Sequence, residues 1–193
     1  MTFQLHTLKP DDAFALARLA NNRKIWNNVR DRMPFPYTTE HAAAFIENIQ
    51  RQKNALVYAI GWAGQRLVGT VGLHLGEEEY RGTAELAYWL GEPFWGQGIA
   101  SKAVQEILKI GFGQLHLRRI YATVYSFNSA SLRVLEKNNF NVESVARQAV
   151  MKNGKVADEI CCALLAREYQ PQMTTYSAQN KARFSRRYSN LNS

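Results

Sequence analysis

Glu85-Leu86-Ala87-Tyr88-Trp89-Leu90-Gly91-Glu92-Pro93-Phe94-Trp95-Gly96-Gln97-Gly98-Ile99-Ala100-Ser101 is the stretch on which the fold turns. Thr83 to Leu90 reads as a β-strand, and Ile99 to Phe112 carries apolar residues at helical spacing. Between them the glycines let backbone approach a ligand closely. The free N–H groups of the helix's first turn, aided by its dipole, suit an anion such as a pyrophosphate. The loop lacks the Lys-Ser/Thr ending of a nucleoside-triphosphate loop. Ser101 after Ala100 also breaks the Gly-x-Gly-x-x-Gly dinucleotide pattern. Gly-x-Gly alone is equally compatible with a plain tight turn, so its surroundings decide.

Upstream, Phe3 to Leu8 alternates as a strand, and Lys9-Pro10-Asp11-Asp12 starts a helix over Ala13 to Leu19. A second helical piece is predicted over Arg23 to Arg32, ended by Met33-Pro34-Phe35-Pro36-Tyr37, and an amphipathic helix runs from Thr39 to near Lys53. Leu56 to Trp62, Leu67 to Leu75 and Thr83 to Leu90 read as an antiparallel meander. Downstream, Arg119 to Tyr125 reads as a strand and Ser129 to Asn138 as a helix. Phe140 to Val150 and Val156 to Leu165 form a hairpin around Lys152-Asn153-Gly154. The sum is a mixed α/β (α+β) single domain over 1–170. The polar, basic segment 171–193, rich in Ser, Thr, Gln and Asn, has the composition of a disordered tail.

The chain has 193 residues, 46% of them hydrophobic, enough for one globular core and too apolar for a disordered or fibrous class. Four basic residues of the +8 net charge, Lys181, Arg183, Arg186 and Arg187, sit in the tail, leaving the body mildly basic. Such a surface suits a phosphorylated ligand, nucleic acid or an acidic partner. Cys161 and Cys162 are adjacent, which gives neither a disulfide framework nor a metal-ligand spacing. No metal is expected. The absence of a signal-peptide pattern or a long apolar run leads to the expectation of a cytoplasmic protein without membrane association. Monomer and homodimer both remain open.

Three ordered motifs, Glu85 to Leu90, Trp95 to Ser101, and Asn128-Ser129-Ala130-Ser131-Leu132-Arg133-Val134-Leu135-Glu136-Lys137-Asn138-Asn139-Phe140, resemble the GNAT superfamily of N-acetyltransferases. The nearest branch in appearance is the RimJ/RimL-type ribosomal-protein N-terminal acetyltransferases, and the likeness spans about Phe3 to Tyr169. It implies a mixed, mostly antiparallel twisted sheet of six to seven strands flanked by about four helices, with strands 4 and 5 splayed around acetyl-coenzyme A. Residues Trp95, Gly96, Gln97, Gly98, Ile99, Ala100 and Ser101 would hold the pyrophosphate. Trp89, Leu90 and Gly91 would pair with the pantetheine arm, and Asn128 and Ser131 would also contact the cofactor. Trp26, Arg30, Phe35 and Tyr37 fall in the segment that forms one wall of the family's acceptor groove.

Three departures bear on mechanism. Trp95 stands where most members have Arg or Gln. Asn139 replaces a Gly, and Asn is the next-best residue for a left-handed helix end. Leu135 stands where many members carry a Tyr acid. In the Rim-like branch a Ser three residues after the Asn acts on the sulfur, which assigns Ser131 as general acid; a plain helix-start serine is the competing reading. Val150 occupies the place of a carboxylate base, so Glu85 is the replacement, against an exposed strand carboxylate or a structural ion pair. His6, His41, His74 and His116 are read as surface or packing residues. The implied acceptor is a protein N-terminus, with ribosomal-protein or ribosome docking. The alternatives are acetylation of a small amine (aminoglycoside, polyamine or amino acid) and a non-catalytic acyl-coenzyme A-binding module.

Overall fold

A computed structural model of the chain describes residues 2–170. The expectation of a disordered tail over 171–193 lies outside the described residues. Seven strands form one sheet in the order β1-β2-β3-β4-β5-β7-β6. They are β1 (Phe3–Thr7), β2 (Ala55–Trp62), β3 (Gln65–Leu75), β4 (Thr83–Leu90), β5 (Arg119–Tyr125), β6 (Asn141–Lys152) and β7 (Lys155–Leu165). All neighbours are antiparallel except β4 and β5, which are parallel. Five α-helices accompany the sheet among the described residues: α1 (Ala13–Ala20), α2 (Arg23–Trp26), α3 (Thr39–Arg51), α4 (Ile99–Leu108) and α5 (Ser129–Lys137).

Alternation along the strands sorts side chains into two cores. Ala84, Leu86 and Leu90 of β4 point to the face covered by α4, where they meet Ile99, Val104 and Ile107. Trp89 points to the opposite face, where α1 and α3 supply Leu16, Ala42 and Ile46. Burying each Leu, Ile or Val among these contributes about 1.5–3 kcal/mol, so the two faces together fix the sheet's register.

The element boundaries differ most from the sequence reading at two helix ends. The helix expected over Arg23 to Arg32 stops at Trp26. Asn28 Nδ2 turns back to donate to Lys24 O at 2.9 Å and Trp26 Nε1 donates to Met33 O at 2.9 Å, local bonds that compete with helix continuation. The helix expected through Phe112 leaves α-geometry after Leu108 and widens into a π-helical turn over Lys109–Gln114. There the backbone of Gly111 lies so close to β5 that a Cβ would stand 2.6 Å from Ile120 Cδ1. The helix end at Asn139 is as expected, with φ 64°.

Loop 27–38 is fastened to the tip of the β6–β7 hairpin. Lys152, at the tip of the β6–β7 hairpin, has a side chain only 3% exposed. Its Nζ donates to Val29 O at 2.8 Å, pairs with Asp31, and lies 3.6 Å from the centre of the Trp26 ring. Asn153 Nδ2 donates to Asn27 Oδ1 at 2.8 Å. Lys152→Met keeps the length and removes the charge, stranding the Val29 carbonyl. The expected result is a loss of about 1–3 kcal/mol in urea denaturation and faster proteolysis within residues 27–38.

Candidate functional site

β4 and β5 are paired at Thr83–Arg119, Ala84–Ile120 and Glu85–Tyr121, and then separate. Gly91 N donates to Val68 O at 2.9 Å. Alternation therefore turns the backbone groups of Leu86, Tyr88 and Leu90 toward the gap beside β5. Leu90 O accepts from Trp95 Nε1 at 2.8 Å, and its N–H faces the opening. A cavity of about 940 Å³ passes through this gap, with Ser101 and Ser131 on the α4/α5 side and Phe45, Asn48 and His74 on the α3 side.

The first turn of α4 opens onto that cavity. Gly98, its N-cap, and Gly96 hold left-handed backbone at φ 77° and 75°. Bonding across the cap begins with Lys102 N donating to Gly98 O, so the N–H groups of Ile99, Ala100 and Ser101 are not used by the helix. A Cβ placed on Gly96 or Gly98 would meet nothing within 4 Å. Packing therefore does not require these glycines; the left-handed turn and an unobstructed approach to the N–H groups do. An open cradle of this kind, at the end of a ten-residue helix, fits a pyrophosphate. Of the residues expected at the cofactor, Trp89, Leu90, Trp95, Gly96, Gly98, Ile99, Ala100, Ser101, Asn128 and Ser131 line the cavity. Gly91 instead packs under Leu19, and Gln97 Nε2 donates to Pro93 O at 3.1 Å.

Asn128 is the N-cap of α5. Its Oδ1 accepts from Ser131 N at 3.1 Å, which leaves Nδ2 as its donor to the cavity. The Ser131 hydroxyl is therefore not the capping group, and it lies 2.7 Å from Tyr88 Oη. Leu135 is wholly buried in the α4-side core.

On the α3 side, Arg30 Nη2 donates to Glu85 Oε1 at 2.8 Å and to Thr123 Oγ1 at 2.9 Å, bridging the two strands where they part. Glu85 is 22% exposed and faces the cavity. Tyr37 and Arg30 line the cavity. Burial pushes the Tyr37 phenol up to about 12. Trp26 and Phe35, expected at the substrate, are not brought to the cavity. They pack on each other with ring centres 5.8 Å apart, under the Arg23 guanidinium.

The sequence reading missed Tyr88, Arg32, Thr123 and His74, all of which line the cavity. His74 pairs across the sheet with Glu85. Burial first, then the Arg32 charge, lowers its pKa below the ordinary 6.5; Glu85 opposes and Arg30 adds to the lowering. No cluster of three His, Cys, Asp or Glu residues suited to a metal occurs among the described residues, and no described helix is long and apolar enough to cross a membrane.

The acetyltransferase (GNAT) domain model matches residues 3–141. The uncharacterized N-acetyltransferase p20 of Bacillus licheniformis is 38% identical over 103 residues, 53% of this chain and 57% of that protein. The ribosomal-protein-serine acetyltransferase of Escherichia coli strain K12 is 25% identical over 164 residues, 81% of this chain and 89% of that one. Mycobacterium smegmatis RimJ in complex with a CoA disulfide shares the fold, with a TM-score of 0.78 at 22% identity over 93% of this chain and 88% of that one. The chain spans about half the length of the first curated relatives it matches, 57%, 52% and 55%.

The lowered pKa of His74 has a stability consequence. The unfolded chain binds this proton more readily than the folded one, so the stabilisation is fully present above about pH 6.5 and is lost as pH falls through the folded value. His74→Asn should therefore show a smaller drop in Tm than the parent between pH 7.5 and pH 5, measured by circular dichroism.

Proposed function

This chain belongs to the acetyltransferase (GNAT) domain family, and we propose that it transfers the acetyl group of acetyl-coenzyme A to the N-terminal α-amine of a protein of ribosomal type. The observation that carries this choice of acceptor is the charge balance on the α3 side of the cavity. Its carboxylates are Glu85 and Glu159, the first already paired with Arg30, while Arg32 adds a further cation and Lys24 is neutralised by Glu92. A polyamine would need more carboxylates to replace its lost hydration. A single amine on an otherwise neutral chain does not, and the likeness to a ribosomal-protein-serine acetyltransferase points the same way.

The open cradle at Gly96 and Gly98 fits the coenzyme pyrophosphate, held by the N–H groups of Ile99, Ala100 and Ser101. Asn128 Nδ2 and the edge of β4 at Leu90 would hold the arm; the backbone of Trp89, also expected there, is turned to β3 instead. Acetyl-coenzyme A supplies a thioester activated toward a neutral amine. The Leu90 N–H, turned into the gap, would donate to the carbonyl oxygen as negative charge develops there. Ser131 Oγ, free of capping duty, would donate to the sulfur. Glu85 would accept the amine proton. An α-amine, with a pKa of about 7.7–8.0, is already on the order of a tenth neutral at pH 7, whereas a lysine near 10.4 is almost wholly charged. The reaction proposed therefore asks little of a base, in keeping with a carboxylate shared with Arg30. Docking on a ribosomal protein and a cytoplasmic location belong to the same proposal.

Incubation with acetyl-coenzyme A and a panel of N-terminal peptides, spermidine and an aminoglycoside, read by mass spectrometry, is expected to add 42 Da (about one acetyl group) to peptide α-amines alone. Products confined to the small amines would refute the acceptor assignment. Gly98→Ala and Gly64→Ala both place a side chain on left-handed backbone, at φ 77° and 84°, with open space around each. Both should lose about 1–2 kcal/mol of stability. Only Gly98→Ala should weaken acetyl-coenzyme A binding in calorimetry, by tenfold or more on an order-of-magnitude basis.

A further inference from the structure

Tyr88 of β4 stands with its Oη 2.7 Å from Ser131 Oγ and 3.1 Å from Ser131 O, and both residues line the cavity. Two hydroxyl protons are available to this pair, and acidity decides where they lie. A phenol is a stronger hydrogen-bond donor than an aliphatic alcohol, whose oxygen is the better acceptor, so the single Tyr88 proton is assigned to the shorter contact, Ser131 Oγ at 2.7 Å, rather than to the Ser131 carbonyl at 3.1 Å. Ser131 then has its own proton left to give. It is not drawn to the helix end, because Asn128 caps α5. Burial raises the Tyr88 pKa well above that of an ordinary phenol, so the donor keeps its proton throughout the working range of pH.

We propose that Tyr88 is a positioning residue: by donating to Ser131 Oγ it turns the Ser131 hydroxyl proton into the cavity, toward the sulfur atom at which the thioester is cleaved. The proposal rests on the coenzyme site and the Ser131 role given above. In the balanced reaction the amine nitrogen forms a bond to the acetyl carbon and loses a proton to the base side. The C–S bond breaks with its electron pair passing to sulfur. A thiol has an ordinary pKa near 8.5, far below that of an aliphatic alcohol. Ser131 therefore has no need to surrender its proton; a hydrogen bond held in the right direction lowers the barrier, and direction is what Tyr88 supplies.

The test compares coenzyme A with desulfo-coenzyme A, which lacks the sulfur, by calorimetry at about pH 9, where the thiol is largely ionised. The parent protein should prefer coenzyme A by on the order of tenfold, the size of one hydrogen bond to a charged acceptor. Tyr88→Phe and Ser131→Ala should each abolish that preference, and the double variant should lose nothing more. Affinity for desulfo-coenzyme A should stay unchanged in all of them, which also verifies that each variant is folded. If Tyr88→Phe keeps the preference, or weakens both ligands equally, the positioning role is wrong while the Ser131 role stands. If Ser131→Ala keeps the preference, or the parent shows none, both roles fall. If the parent binds neither compound, the coenzyme reading itself falls and this proposal with it.

Discussion

Three register pairs, from Thr83–Arg119 to Glu85–Tyr121, are all that join β4 to β5, and the rest of the molecule is arranged around where they stop. A sheet that closes fully has no room for a ligand between strands; one that opens leaves backbone donors and acceptors unpaired, which is costly unless something else satisfies them. Here β5 keeps its other edge paired along its length with β7, and β4 keeps its pairing with β3. Only the facing edges are left bare. The bare edge of β4 carries Tyr88 and Leu90, and the Leu90 carbonyl is met by the Trp95 indole. What is left unsatisfied is an edge that an extended ligand can pair with.

The opening stays a defined shape because it is spanned from both faces. On the α5 side, Tyr88 reaches across to Ser131. Asn138, at the other end of that helix, donates to Ser101 O and Val134 O, tying α5 to the first turn of α4. On the α3 side, Arg30 joins Glu85 to Thr123 across the parting strands, and Lys152 holds the loop that carries Arg30. Burying the Lys152 ammonium is tolerable only because a carbonyl, a carboxylate and the Trp26 ring face all compensate it. Trp26, expected at the substrate, thus backs the loop that carries Arg30 instead.

The two faces of the gap also divide the chemistry. The carboxylate and imidazole acceptors, Glu85 and His74, lie on the α3 side, while the hydroxyl donors, Ser131 and Tyr88, lie on the α5 side. An amine approaching from one face and a sulfur departing on the other would meet the kind of group each needs.

Much of this was legible in the chain alone. Alternation in the meander and the Gly-x-Gly step before a helical repeat are local patterns, and local sterics and hydrogen bonding hold them to strand and loop whatever surrounds them. The same locality made Asn139 readable as a left-handed helix end. Contacts between residues distant in sequence were not legible. Tyr88 and Ser131 are separated by 43 positions, Arg30 and Glu85 by 55, and Lys152 and Asp31 by 121. Nothing in a linear pattern says which face of β4 will meet α5, or that Trp26 will turn from the cavity to a buried lysine. Those choices belong to the tertiary structure, because a side chain's partner is set by strand register and the packing of two cores, neither of which is a property of neighbouring residues.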